Sequence, residues 1–556
     1  MLNKGIDKLG DWNPQLLREL KGRLKGRNIA IALIISLVGQ FLLFFSWSGD
    51  RPHVPHVPSH ADIHYPDIHY PVDELDMQLL WQDYYRDIFI SLSLFVLFAL
   101  LVIGSYMLIA NLGHEERRGT LNFIRLSPQS TSQFWLGKLL GVPILLYLAI
   151  AITLPFHLWS GLSGKIPLAE IISFWVILIA SSGFLFSAAL LFGLFGSWFS
   201  GFQSWLGSGA VFTFLVMANV KPINNSSFDW LSLFSPSVLF PYLVDETNSH
   251  YTGFPFHLGK IQAWQFFNLP LGMMGFSIVV LTLLNYGLWT YWIGQAFNRQ
   301  FRNPGTTLLS KRQSYLFTAC WITFTLGFAL QEPTSGYSYP FPDNFYIVLG
   351  FNLVLVLGLI AVLSPQRQAL QDWARYRHQN RSTVNSSLIA DLLWGEKSPA
   401  FFAIAMNCMI VALPLLGWIW LASVDIDMKQ QVFASLILSL SMMLIYSAIA
   451  QLMLLMKTPK RGIWATGIVV AVIVLPPTLL SVLSIVPGQN WGGLWLFTAF
   501  PWDYVMRHAS VGLVLQTFLI QVIILGGLNW QLRRQLRLAG ESATKALLAG
   551  RSPLFN

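Results

Sequence analysis

Residues 171–220 read IISFWVILIASSGFLFSAALLFGLFGSWFSGFQSWLGSGAVFTFLVMANV, without one charged side chain. One helix of that length would be about 75 Å long, against a hydrocarbon core of about 30 Å. The stretch must therefore fold back. The pattern predicts two spans, 171–196 and 202–220, with a bend at Gly196-Ser-Trp-Phe-Ser-Gly201, where glycine and serine interrupt the apolar run. Working outward, similar runs occupy 29–47, 88–111, 139–160, 268–297, 315–331, 344–363, 400–424, 431–456, 462–486 and 509–531. The expected fold is all-α, a polytopic membrane protein of about twelve spans.

Composition agrees. Charged residues are 11% of the 556, against about 25% in soluble domains. A soluble surface needs more charge than this, which excludes most soluble-enzyme readings. The first run follows a long basic segment and lacks a small-residue cleavage site, so it reads as a retained span rather than a signal peptide. Cys320 and Cys408 lie inside apolar runs and make no disulfide framework.

The excess of +9 is explained by where the basic residues fall. Of the 35 Lys and Arg, 28 lie in alternate loops counted from the N-terminus and 7 in the other set. The positive-inside rule then puts both termini in the cytoplasm. The excess marks orientation, not nucleic acid. A bacterial plasma (inner) membrane is the expected location.

The spans read as two sets of six. Leu233-Phe-Ser-Pro-Ser-Val-Leu-Phe-Pro-Tyr242 and Leu496-Phe-Thr-Ala-Phe-Pro-Trp-Asp-Tyr504 each precede the last span of a half. Leu284-Asn-Tyr286 and Leu528-Asn-Trp530 recur near the ends of those spans, each followed by a basic stretch. The order suggests duplication, as in many transporters; aromatic and basic flanks as general membrane features are the alternative. The expected divisions are a cytoplasmic helix in 1–28, a first half at 29–297, a linker at 298–314, a second half at 315–531 and a basic tail at 532–556. The first half contains an external loop at 48–87, a cytoplasmic region at 113–130 and an external re-entrant segment at 221–265. The second contains a cytoplasmic loop at 364–398 and an external segment at 487–508.

The twelve spans hold no Asp, Glu, Lys or Arg. Ion-driven pumps keep such groups at mid-membrane because they carry the relay. Only His157 comes close, and near a span end it reads as an interfacial anchor. The chain also lacks G-x-x-x-x-G-K-[ST], so it binds no ATP in the P-loop manner. Energy for any transport must come from another polypeptide.

Two cytoplasmic features fit that need. Asn13-Pro14 reads as a helix start. Leu16, Leu17, Leu20 and Leu24 then share a face, with Arg18, Lys21, Arg23, Lys25 and Arg27 around the rest. This is an interfacial helix on the anionic inner leaflet. The second feature is Gly113-His-Glu-Glu-Arg-Arg-Gly-Thr-Leu-Asn-Phe-Ile-Arg-Leu-Ser-Pro128, in which Leu121, Phe123 and Ile124 offer a short packed helix ended by Ser127-Pro128.

The run Glu115, Glu116, Arg117, Arg118, Gly119, Thr120, Leu121, the Leu-Ser-Pro stop and the Gly137-Lys138 opening of the next span resemble the coupling region of ABC-2 type exporter permeases. The Asn13–Leu20 opening is similar to the interface helix before their first span. The resemblance implies that the loop between the second and third spans contacts a cytoplasmic ABC ATPase subunit, as two copies or a heteropair. It implies that two six-span halves, here apparently fused, form the path, with short dipping helices matching Phe228–Tyr242 and Leu494–Tyr504 capping it outside. It further implies a transport subunit rather than an enzyme, with no cofactor of its own; ATP and Mg belong to the partner. The other partner is the lipid bilayer, with no nucleic acid. The second half departs from the pattern. Ser387–Pro399 overlies Thr120–Ser132 only loosely, and Gln368–Arg377 reads equally well as an amphipathic surface helix.

The external segment 53–76 carries His53, His56, His60, His64 and His69 among repeated Val-Pro and Asp-Ile-His-Tyr-Pro. Weak metal capture, protonation sensing and low-complexity drift are the three readings. The rival to a permease is an integral-membrane glycosyl- or acyltransferase using Asp73, Glu74 and Asp76. A structural scaffold is a third.

Overall fold

The computed structural model describes residues 10–52, 74–194, 201–220, 226–243, 261–331, 340–379, 388–499 and 501–540. The five loop histidines and Asp73 lie outside them; Glu74 and Asp76 fall in the first turn of a helix.

The described residues are almost wholly helical. Two compact units emerge, one of Met1–Gln265 with Leu269–Arg302, the other of Phe266–Asn268 with Asn303–Asn556. The first contains α1 (Pro14–Arg23), α2 (Gly26–Ser46), α3 (Glu74–Phe98), a π-turn at Ala99–Ile103, α4 (Gly104–Arg117), α5 (Thr120–Leu126), α6 (Thr131–Gly141), α7 (Ile144–Ala151), α8 (Leu154–Ser163), α9 (Leu168–Leu194), α10 (Gln203–Val220), α11 (Phe240–Leu243) and α12 (Gly275–Arg302). The second contains α13 (Lys311–Ala329), α14 (Pro340–Leu363), α15 (Arg367–Gln379), α16 (Leu388–Trp394), α17 (Phe401–Leu421), α18 (Ile426–Leu454), α19 (Arg461–Val482), α20 (Asp503–Arg507) and α21 (Val511–Gly540).

Every expected span falls on helix. Among the described residues, 10 helices are long and apolar enough to cross a membrane. The remaining two spans are α10 and α13, of 18 and 19 residues. The long uncharged stretch folds back as expected, Gln203 Nε2 near the start of α10 reaching the Phe192 carbonyl of α9 at 2.7 Å; Gly196–Ser200 of the expected bend lie outside the described residues, and Gly201 stands at φ 94°. A left-handed residue there suits only glycine at no steric cost.

Three details differ from the sequence reading. The second span begins well before 88, because α3 runs unbroken from Glu74 through Asp83, Arg86 and Asp87. The third span is cut into α6, α7 and α8. Pro143 and Pro155 sit at the two breaks, where a missing N–H and a ring clash end the preceding helix. His157 is not an interfacial anchor but fully buried. Its Nδ1 receives the Trp175 indole N–H at 3.2 Å and its Nε2 lies 2.8 Å from Ser93 Oγ, with the Phe89 ring at 4.1 Å. An indole only donates, so Nδ1 is the acceptor and Nε2 carries the proton. The Ser93 hydroxyl in turn donates a hydrogen bond to the Phe89 carbonyl at 2.7 Å. A neutral imidazole thus ties α3, α8 and α9 together.

In the first unit α9 is central, packed along α12 and α4, while α3 packs on α8 and α2 on α7. α2 buries only Ala32 and Ser36, the Ser36 hydroxyl reaching the Ala149 carbonyl at 2.6 Å. Its remaining apolar surface suits lipid. In the second unit α18 is central, contacting α21, α19, α17 and α14, and α15 lies along α21.

Candidate coupling site

Three helices of the first unit meet at one buried ammonium. Lys138 on α6 is fully buried, and its Nζ donates to Glu19 Oε1 at 2.6 Å, Asn111 Oδ1 at 2.6 Å and Glu115 Oε1 at 2.7 Å. An ammonium has three protons, and all three are used. Arg18 pairs with Glu115 from α1, Arg23 Nε reaches Glu19 Oε2 at 3.2 Å, and Gln15 Nε2 reaches Glu19 Oε1 at 3.1 Å.

The backbone allows this closeness because α6 presents glycine. A Cβ on Gly137 would meet Gln15 Cβ at 2.8 Å and Leu16 N at 2.9 Å; one on Gly141 would meet Glu19 Cβ at 2.5 Å. Asn13 caps α1 through Leu16 N at 3.0 Å, as expected, and its Nδ2 also reaches across to the Gln133 carbonyl at 2.9 Å. Gln133 closes a capping box with Ser130 that starts α6.

The face that α1 turns inward is therefore Gln15, Leu16 and Glu19. The expected leucine face is only partly enclosed: Leu17 and Leu20 are half-buried and Leu24 is exposed. Arg18 and Lys21 are exposed and Arg23 is half-buried.

Burial alone would raise the Glu19 carboxyl, but Lys138 and then Arg23 outweigh it and hold the group below its ordinary value. A depressed carboxylate stabilises the folded form above the unfolded value of 4.5, and that contribution is lost as pH falls through the folded value. A spin label on Lys21→Cys is expected to be immobile at pH 7 and mobile after acidification to about pH 3. Unchanged mobility would refute the contribution.

The seven expected coupling residues divide. Glu115 and Leu121 point inward and Glu116 is half-buried, whereas Arg117, Arg118, Gly119 and Thr120 are exposed. α4 ends at Arg117, and Gly119 at φ 71° turns the chain into α5. Thr120 Oγ1 returns to the Glu115 carbonyl at 3.0 Å. Leu121 and Ile124 pack inward, but Phe123, which the sequence offered as packed, is 77% exposed and Leu126 87%. Arg125 lies over the Phe301 ring at 5.8 Å, and Phe301 stacks on Phe134 at 4.6 Å. α5 is thus tied to α4 through the Thr120 hydrogen bond and the Gly119 turn, and to α12 through the Arg125–Phe301 contact.

The second unit has its own buried lysine. Lys311 Nζ donates to the Leu392 carbonyl at 2.6 Å, Ser398 Oγ at 2.6 Å and the Pro399 carbonyl at 3.1 Å. Burial pushes it down to about 8, with Asp391 partly opposing. Asp391 in turn receives Arg377 Nε at 3.0 Å and Trp373 Nε1 at 3.3 Å. α16 is thus braced against both α13 and α15. α15 buries Leu370 and Ala374 and is amphipathic, as its sequence suggested.

The sequence reading missed Gln15, Glu19 and Asn111 in the first cluster and Lys311, Asp391 and Arg377 in the second. A signal existed for two of them: Glu19 is the lone acid of a basic helix, and Lys311 stands at the mouth of an uncharged span.

The family model described as ABC-2 family transporter protein matches residues 56–286. The match takes in α3 to α11 and the first turns of α12, and so all of α4, α5 and α6. No curated protein and no solved structure matches the chain.

Proposed function

We propose, from a first unit whose residues 56–286 belong to the ABC-2 transporter family, that this chain forms the translocation path of an ABC transporter and takes its energy from a separate ATPase docked on α5. The match of residues 56–286 to the ABC-2 family transporter model, together with the apolar helices, supports an integral-membrane permease subunit of a kind that associates with an ABC ATPase. Docking on α5 is supported chiefly by one observation, the Lys138 cluster, which joins the end of the second span, the interface helix and the start of the third span, with α5 following directly through the Gly119 turn. A push on α5 can then be delivered to several spans at once.

Under this reading the two units are fused halves, both termini lie in the cytoplasm of a bacterial cell, and the cargo is a hydrophobic or amphiphilic solute moved outward. Long apolar stretches within the spans suit such cargo. ATP and Mg act in the partner, in two copies or as a heteropair. The exposed Lys21, Lys25 and Arg27 meet the anionic inner leaflet.

The test is reconstitution with any soluble Walker-motif ATPase that the neighbouring reading frames encode. A stable complex whose ATP turnover depends on this chain is the expected result, and no complex would overturn it. Replacing Asp73, Glu74 and Asp76 together with alanine is expected to leave that turnover unchanged; a membrane transferase would lose its activity.

A further inference from the structure

In each unit, one amide side chain inside the last span holds the short-helix segment that precedes that span. In the first unit the segment is Ser227–Phe234, Pro236–Leu239 and α11, nearly all of it buried. Asn285, the eleventh residue of α12 and fully buried, receives the Trp230 indole N–H at 3.1 Å and that of Trp289, one turn on, at 2.9 Å. Both indoles can only donate, so the atom they converge on is Oδ1. The Asn285 Nδ2 has no hydrogen-bond partner in the described protein. Trp230, Phe234 and Trp289 pack ring to ring around the amide, at 5.5 Å and 5.8 Å from Trp230.

In the second unit the segment is Gly492–Phe497 and α20. Gln521 is the eleventh residue of α21 and fully buried. Its Oε1 meets the Ser441 hydroxyl, and its Nε2 donates to the Leu496 carbonyl at 3.4 Å. A second tie in this unit runs from Ser435 Oγ to the Pro501 carbonyl at 2.7 Å. The helix position is the same in both units, about 15 Å from the helix start at 1.5 Å per residue. The chemistry is not the same: one amide accepts from a side chain, the other donates to main chain.

We infer that Asn285 and Gln521 are latches that position the outer segments in their closed arrangement. The inference rests on the permease reading only for what the segments close, namely the outward end of the path. A latch must hold and release. An intramembrane hydrogen bond is worth little net, because a freed group finds another partner. A buried amide with its NH2 unpartnered further raises the energy of the closed arrangement, so the Asn285 latch is set to open. The two latches are unequal. A 3.1 Å bond to Trp230 is ordinary and a 3.4 Å bond to Leu496 is weak. The Asn285 amide therefore grips its segment more firmly than the Gln521 amide grips its own.

The test is hydrogen exchange of the full chain in phosphatidylcholine nanodiscs, without any ATPase. Asn285→Leu is expected to speed exchange across 226–243 about three- to tenfold and to leave 491–507 unchanged. Gln521→Leu does the reverse with a smaller factor. Trp230→Phe keeps the ring and removes the donor, so it covers the case in which Asn285→Leu fails to fold. With Asn285→Leu it should be strongly non-additive, the double variant exchanging no faster than the faster single one. Additive effects, or exchange in 226–243 unmoved by Trp230→Phe, would overturn the latch. Since no ATPase is present, failure here is separate from failure of the complex to form.

Discussion

Lys138→Ala is expected to destabilise the first unit by about 3–5 kcal/mol, the usual cost of stranding a buried charge partner. Lys138 is fully buried, and its loss leaves Glu19 and Glu115 facing each other with no shared cation. Arg18 and Arg23 stay, but both are partly in solvent and each reaches only the outer side of the cluster. Thermal unfolding in nanodiscs reads the effect. The triple variant Lys138→Met, Glu19→Gln, Glu115→Gln should recover much of the loss, because removing all the charges also removes their desolvation cost. A single Lys138→Ala variant as stable as the parent would show that the cluster holds nothing together.

Phe123→Glu with Leu126→Glu is expected to weaken ATPase association about thirty-fold or more with no change in thermal stability, the loss typical of central apolar anchors. Both side chains point away from the unit, at 77% and 87% exposed, so charging them disturbs no packing. Pull-down of the ATPase at graded concentrations measures it. Deleting Glu115–Leu121 is a poorer experiment, because Glu115 binds Lys138 and Leu121 is buried, and the deletion would unfold what it was meant to undock. Retained affinity in the double glutamate variant would move the docking surface off α5.

The spans were legible because lipid imposes a long, charge-free run on every crossing helix, and residues 171–220 show that rule at its plainest. The cap at Asn13-Pro14 was legible for a local reason, since the residues that stop the helix ladder are its own neighbours. The inward face of α1 was not. Periodicity counts apolar residues, and the face that docks is Gln15 and Glu19, whose partner lies 119 residues on. His157 failed in the same way, because its two hydrogen-bond partners come from other helices. Asn285 and Gln521 were visible only as polar letters in apolar runs. What the amides hold depends on how the preceding segment packs back, which no local pattern encodes.

The glycine seam of α6 has a consequence for how the chain is made. α1 leaves the ribosome before α6, and its dock at Gly137 and Gly141 and its counter-ion Lys138 are more than a hundred residues behind. At about 5–20 residues per second, Glu19 waits roughly 6–24 s for its partner. Under the proposed topology, its leucines and basic residues rest on the bilayer surface during that interval. Insertion of the third span is thus the event that turns a peripheral helix into a structural one.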